Sequence, residues 1–464
     1  MKDLVIEEQK RWIHFSDDRL RQRYHLSMSY LSEGNSSQSF PSLIKDPYEL
    51  KGFYRFINNT RVSQATFING YEQGLVSYSK QQEEQECGWY LIHDTMYVEY
   101  NSRQLDLGYT QTINSNGFLL HHGLLLDNNQ VPLGLLHQGV IHRERADYGK
   151  RDNCTKKPIE DKESSKWLEG IQSGQKFTQQ TSRRLIHLMD REGDIGEVIN
   201  YFLQNDSAKS GFIIRARHDR STLTHSQRDR EENVRLFRLF SSIKQSPHSK
   251  KIIRTLRNKK GKSYSAECLL RYEHYQFRGI VNPVGCVHLQ EVSPSEESKI
   301  TEWYLLTNLT LDNFQQAEAI IETYTRRWII EDFHKCYKTG CSIEQRQFDS
   351  RESLCTAIGF LALPAIQLLR SRYYARINPE ASFEILVTQK DAQELARKAA
   401  RKYLMPVDLT VAKEGTVLWW LLLLGRMGGH QGYKSKGLPG WQTLWKGLNY
   451  FNVLLEGYLS NTSP

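Results

Sequence analysis

The 464-residue chain is 39% hydrophobic and 25% charged, with a net charge of +9 and a pI near 9.0. That is the balance of a globular protein of about two to four domains, not of a disordered or fibrous one. The longest apolar run, LWWLLLL at 418–424, falls far short of the ~20 residues that span a bilayer, and the start, MKDLVIEEQKRW, has no apolar signal-peptide core. No membrane association and a cytoplasmic location are therefore expected, and seven cysteines without a CxxC pair give no sign of a zinc site or a disulfide framework.

The first ~75 residues carry few strand signals and read as helical. Within them PYELKGFYRFINN (47–59) sets Tyr48, Leu50, Phe53, Phe56 and Ile57 at helix-like spacing, with Arg55 and Asn58 elsewhere on the wheel. Such a basic helical module either reads DNA or serves as a packing subdomain. From residue 88 the pattern changes. GWYLIHDTMYVEY, GFLLHHGLLLD and QVPLGLLHQGVIHR read as three strands of an antiparallel meander. ESSKWLEGIQSG (163–174) follows as a helix and RRLIHLMD (183–190) as a fourth strand, and DREGDIGEVINYFLQ continues into a helix. The order implies a mixed α/β sheet covered by helices.

Residues 211–308 break the alternation. FIIRAR, KIIRTL, SAECLLRYEHYQF, GCVHLQEV and EWYLLTN are successive β segments, which together make a β-rich insertion. Next comes YTRRWIIEDFHKCYKTG (324–340), a helix-forming segment, and then the apolar helix 351–376, expected to break or kink at Pro364. The helices after residue 380 are too apolar for a solvated tail, so they either pack on the core or form a subunit interface. Basic clusters at 18–25, 213–220, 250–262 and 324–338 spread over several elements. A wide DNA track requires that distribution, although a solvated surface also produces it.

At about 100° per residue, Tyr324, Arg327, Glu331, Lys335 and Lys338 share one stripe of the 324–340 helix. As a solvated face, its Arg327–Glu331 and Glu331–Lys335 pairs would add only ~0.2–0.5 kcal/mol each. Two further acids change the picture. Asp94 follows WYLIH and Asp190 follows RRLIHLM, so each projects from the end of an apolar strand. Asp after a strand commonly caps a helix. In DREGDIGE, however, Asp194 with Glu197 three residues later suits the capping box, which leaves Asp190 free of that duty. Asp94, Asp190 and Glu331 would then supply hard oxygen ligands for Mg²⁺, or Mn²⁺ in its place. Two such ions at one site support phosphoryl transfer, and Arg327, Lys335 and Lys338 would hold the neighbouring phosphates.

The Y-x2-R-x3-E-x6-K pattern of Tyr324, Arg327, Glu331 and Lys338 resembles the signature of the cut-and-paste transposases of the insertion-sequence-four family. HDTMYVEY and MDREGDI resemble that family's first-Asp and second-Asp blocks, YRFINN its N-terminal domain, and GRMGGHQGYKSKGLPGWQTLWKGL its C-terminal end. The resemblance implies an RNase H-like catalytic core at 76–370 with its β-rich insertion at about 211–308. It also implies a helical DNA-binding domain at 1–75 and a helical dimerisation domain at 371–464. The implied reaction is cleavage of transposon ends through a hairpin and joining of 3′ ends to target DNA, carried out by a homodimer on double-stranded DNA. By resemblance, Asp94, Asp190 and Glu331 are the metal ligands and Tyr324, Arg327 and Lys338 hold the hairpin phosphate. Trp303 or Trp328 would hold a flipped base, and Arg215 and Lys335 would touch DNA. His93 departs from the family pattern and is expected to pack or support rather than bind metal. A plain RNase H-like nuclease without strand transfer, or a DNA-binding protein that has lost catalysis, would share many of these features.

Overall fold

The computed structural model describes residues 12–33, 37–82, 88–101, 105–149, 157–205, 210–223, 235–242, 249–257, 263–292, 301–432 and 437–462. The strands are β1 (Trp89–Glu99), β2 (Gly117–Leu126), β3 (Pro132–Ile141), β4 (Leu185–Met189), β5 (Ser210–Arg215), β6 (Ser249–Arg257), β7 (Ser263–Tyr275), β8 (Val284–Glu291) and β9 (Glu302–Thr307). The longer helices are α1 (Asp18–Glu33), α2 (Pro47–Ile57), α3 (Gln64–Lys80), α4 (Ser165–Thr181), α5 (Gly196–Gln204) and α6 (Phe314–Thr325). They continue with α7 (Ile329–Lys335), α8 (Arg351–Ile377), α9 (Lys390–Tyr403), α10 (Val417–Met427) and α11 (Trp441–Thr462). The class is mixed α/β, as the sequence implies, and the hydrogen-bonded strand order is β3-β2-β1-β4-β5-β9-β8-β7-β6.

The chain forms two compact units. One holds residues 1–85, 95–152 and 330–464, and the other holds 86–94 and 153–329. In the first, β2 and β3 make the expected antiparallel pair; β2 is buried along its whole length, and β3 is buried in its first half and half-buried toward its end. The N-terminal helices pack on α8 through one aromatic side chain: Phe360 lies 6.2 Å from Tyr24, 6.0 Å from Phe53 and 5.7 Å from Phe67, ring centre to ring centre. Asp46 caps α2 by accepting from the Tyr48 and Glu49 amides. The face that α2 turns inward is Phe53, Phe56 and Ile57; Tyr48, expected among the apolar positions, is 85% exposed.

Helix α8 runs unbroken through Pro364. A proline inside a helix costs about 3 kcal/mol. Here buried Ala362, Leu363, Ala365 and Ile366 flank it, and their burial, at roughly 25 cal/mol per Å², outweighs that loss. By length and composition α8 is apolar enough to cross a membrane, but 78% of its apolar window is buried inside the protein. It is a core helix.

In the second unit β1, β4 and β5 are parallel neighbours, and β9, β8, β7 and β6 extend the sheet antiparallel. Trp167 of α4 and Val198, Ile199 and Phe202 of α5 cover Met189, Phe212, Ile214 and Leu306 in one buried cluster. The β-rich stretch from 211 thus opens on a strand, β5, that pairs in parallel with β4.

Four buried histidines resist protonation in the folded state, because burial disfavours the charged ring. His187 is pushed down to about 3, His137 and His288 to about 4, and His122 well below its usual range. In the unfolded chain these rings take up protons below about pH 6.5, so their contribution to stability is complete above that pH. It is lost as pH falls toward 4, at up to ~1.4 kcal/mol per pH unit for each ring. Urea unfolding should therefore show a lower midpoint at pH 5 than at pH 7; equal midpoints would refute the assignment.

Candidate functional site at the parallel strand ends

Parallel pairing places three charged residues in one row. Ile92 is opposite Leu188 on β1 and β4, and Met189 is opposite Ile214 on β4 and β5. The same register carried to the strand ends sets Asp94 beside Asp190 and Asp190 beside Arg215, with adjacent strands about 4.8 Å apart. Asp190 follows the end of β4 and Arg215 ends β5, but Asp94 does not end its strand as the sequence implied: β1 runs on to Glu99, and Asp94 lies inside it, just past the last residue paired with β4.

Arg327 and Tyr324 complete the group. Arg327 Nη1 lies 3.5 Å from Asp94 Oδ2, and both side chains are largely buried. The Tyr324 hydroxyl accepts a hydrogen bond from the Arg327 guanidinium; burial pushes its pKa up to about 12, against the pull of Arg327 and Arg215. Tyr324 is therefore a neutral donor at any ordinary pH. Trp303 meets Tyr324 edge to face, 5.4 Å between ring centres. Arg215 Nη2 donates to the Glu302 carbonyl at 3.1 Å, which ties β5 to the segment that bears Trp303. Burial lowers the Arg215 pKa, and the nearby Arg191 and Arg327 charges add to that effect. The neighbouring Arg326 stacks over the Tyr90 ring at 4.2 Å. The sequence reading passed over Arg326, although TRRW holds two adjacent arginines.

Behind the row, His93 is fully buried. Its Nε2 lies 2.9 Å from His187 Nδ1, and the two rings stack within 8° of parallel. Asp194 departs from expectation. The residue before α5 is Ile195, which makes no side-chain cap. The Asp194 carboxylate is instead buried and accepts from the Arg217 and His218 amides at 2.8 Å and from Arg220 Nε at 3.1 Å. The capping assignment fails because a tight turn follows β4. Arg191–Gly193 form that turn, and its cap is Asp190, which accepts from the Glu192 amide at 2.8 Å.

The single helix expected over 324–340 is a succession of geometries. Helix α6 ends at Thr325, Arg326–Trp328 form a 3₁₀ turn, α7 spans Ile329–Lys335, and Cys336–Gly340 form a π turn. A 3₁₀ turn packs about three residues per turn and a π turn bonds i to i+5, so a uniform 100° wheel cannot hold across them. Tyr324 consequently leaves the exposed stripe and is 4% exposed. Trp328 is 53% exposed. Glu331, Lys335 and Lys338 belong to the other unit, beyond the boundary at Ile329. Glu331 is half-buried and Lys335 exposed on α7, and Lys338 pairs with Glu344 at 2.9 Å.

Asp94 and Asp190 offer hard carboxylate oxygens at adjacent positions, which suits them as two ligands of Mg²⁺ or Mn²⁺. Among the described residues no group of three or more His, Cys, Asp or Glu side chains that could hold a metal ion occurs.

These features define an α/β protein with an acidic and basic row at its parallel strand ends. Residues 3–62 match the transposase DNA-binding family. That match supports a transposase, with DNA as its partner. Within the matched segment α2 both packs and presents: Phe53 and Phe56 are buried, while Tyr48, Lys51 and Arg55 face solvent.

Asp194 leaves a measurable mark on stability. Its replacement by Ala strands Arg220 with a largely buried guanidinium, at a cost of about 3–5 kcal/mol. Chemical denaturation of Asp194→Ala should show that loss, and a change within experimental error would sink the role given to the buried pair.

Proposed function

We propose that the chain is a cut-and-paste DNA transposase with an RNase H-like core, of the insertion-sequence-four type and resembling in particular the transposase of transposon five. The observation that carries the reading is the in-register row Asp94–Asp190–Arg215 with Arg327 and Tyr324 at its end, in a chain whose residues 3–62 match a transposase DNA-binding family. The proposed domains are 1–75 for end recognition, 76–370 for catalysis and 371–464 for dimerisation.

In this reading Asp94, Asp190 and Glu331 hold two divalent ions. When bound, such ions supply Lewis-acid activation of a water or 3′-hydroxyl and stabilise the leaving oxygen. The chain's own groups do the rest. Arg327 releases Asp94, a contact of only 3.5 Å, and turns its fork to a phosphate, for which a planar guanidinium is well matched. Tyr324, kept protonated by burial, donates its hydroxyl to a neighbouring phosphate oxygen. Arg215 supplies positive charge next to Asp190, and Lys335 and Lys338 extend the basic track. Trp303 and Trp328 offer aromatic faces for an extruded base. The reaction proceeds by a first nick, attack of the freed 3′-hydroxyl to form a hairpin, its reopening, and joining to target DNA by a homodimer.

The test uses a duplex that carries the inverted repeats flanking the coding sequence, Mg²⁺ and denaturing gels. Glu331→Gln should lower cleavage at least about 100-fold and leave end binding in a mobility-shift assay nearly intact; joint loss of both would point to misfolding instead. Arg327→Ala should slow hairpin formation roughly 10²-fold and affect the first nick less, whereas equal slowing of the two steps would refute the phosphate clamp. Nicking without a hairpin would favour a nuclease that does not join strands.

A further inference from the structure

The residue after Glu331 has contacts of its own. Asp332 Oδ2 accepts from the Tyr373 hydroxyl at 2.8 Å, and Oδ1 accepts from the Trp441 indole N–H at 3.1 Å. Arg372 Nη1 lies 3.6 Å from Oδ2, and the Asp332 and Arg372 side chains are each only 13% exposed. The Arg372 guanidinium also stacks over the Trp441 ring at 4.3 Å. One carboxylate thus joins α7, α8 and α11 through residues that all lie within the same unit.

A second contact repeats the arrangement one turn further along α11. Trp445 lies so close to Gly340, at the end of the π turn, that a Cβ on that glycine would sit 1.7 Å from the indole. Trp441 and Trp445 stand four residues apart, on one face of α11. They grip the chain on both sides of the segment that follows Glu331, one at Asp332 and one at Gly340.

Helix α7 is only seven residues long, with a 3₁₀ turn before it and a π turn after it. So short a helix has little cooperative stability of its own, and its orientation depends on its anchors. On α7 Asp332 is turned about 100° from Glu331. Anchoring Asp332 therefore sets the direction of Glu331 without occupying it. With three donors around it, Asp332 serves the protein's own groups and is not a spare ligand.

We infer that Asp332 is a positioning residue that, through Trp441 and Tyr373, makes the C-terminal helix of the same chain set the orientation of Glu331. This rests on the reading of Glu331 as a reactive-site carboxylate. It gives the C-terminal segment a part in the chemistry of its own protomer, beyond any role in dimerisation.

The test uses the full chain and the end duplex of the previous section. Asp332→Asn removes the charge, Tyr373→Phe removes one donor and keeps the ring, and Trp441→Phe removes the indole donor and leaves a smaller aromatic ring beneath Arg372. Single-turnover cleavage should fall about 10²-fold in Asp332→Asn and roughly tenfold in each ring variant, the scale of a small misplacement at a reacting group. The DNA concentration for half-saturation should stay as in the wild type. Asp332→Asn combined with Trp441→Phe should be no slower than Asp332→Asn alone, since both act along one path. In metal-free protein, amide exchange over 329–335 should quicken in Trp441→Phe. Wild-type cleavage together with wild-type rates in the ring variants would overturn the inference and leave the transposase reading standing. So would a fall in end binding that parallels the fall in rate. A wild-type protein that does not cleave would remove the reading itself. Should Asp332→Asn not fold, the ring variants decide the matter.

Discussion

The site depends on the register of three parallel strands. The register that pairs Ile92 with Leu188 and Met189 with Ile214, continued by two residues and by one, brings Asp94, Asp190 and Arg215 toward one row. Two carboxylates on neighbouring strands repel each other, and a partly dry setting strengthens that repulsion. Arg215 and Arg327 offset it, and both come from elements whose placement the sheet decides: the end of β5, and the turn after α6. A slip of one residue would move every side chain of a strand to the opposite face and separate the row.

Around the row the protein satisfies charge by tying loops together. Asp194 accepts from the amides of Arg217 and His218, which ties the turn after β4 to the loop after β5. Behind β9, Arg271 Nη1 lies 2.9 Å from His288 Nδ1, His288 Nε2 lies 3.0 Å from Glu302 Oε1, and the Tyr304 hydroxyl donates to that same oxygen at 2.8 Å. The Glu302 carbonyl in turn accepts from Arg215. The segment with Trp303 is therefore held from two sides. Paired buried polar groups favour one arrangement over several, although Arg215 Nε and Arg271 Nε are buried without a hydrogen-bond partner among the described residues.

The row itself was legible in the chain. An acid that ends an apolar run stands out against alternating or continuous hydrophobic residues, and two such acids precede sharp changes of pattern. Strand identities followed from the same contrast, down to β6 and β7 in the insertion. Residue-level duties were less legible. Asp194 and Asp190 exchanged capping roles because the turn at Arg191–Gly193 obeys no helical spacing. Tyr48 and Tyr324 each took the opposite environment from that expected, since a tyrosine suits both a core and a surface. Pro364, itself half-buried, sits inside an intact helix because the burial of its neighbours Ala362, Leu363, Ala365 and Ile366 exceeds the local penalty. The role of Asp332 had no sequence signal at all, as its partners Tyr373 and Trp441 lie 41 and 109 residues away.

By itself the sequence determined the α/β class, the order of the elements and the position of Asp190 after its strand, because these follow from periodicities of two and 3.6 residues and from local composition; that β1 runs on past Asp94 it did not determine. It also determined the charge that suits DNA. Only the tertiary structure decided which acid meets which base, where the helix after residue 324 tightens and widens, and how the C-terminal helix anchors the segment after Glu331. Those outcomes depend on contacts between residues distant in the chain, where register, burial and the number of available donors outweigh local preference.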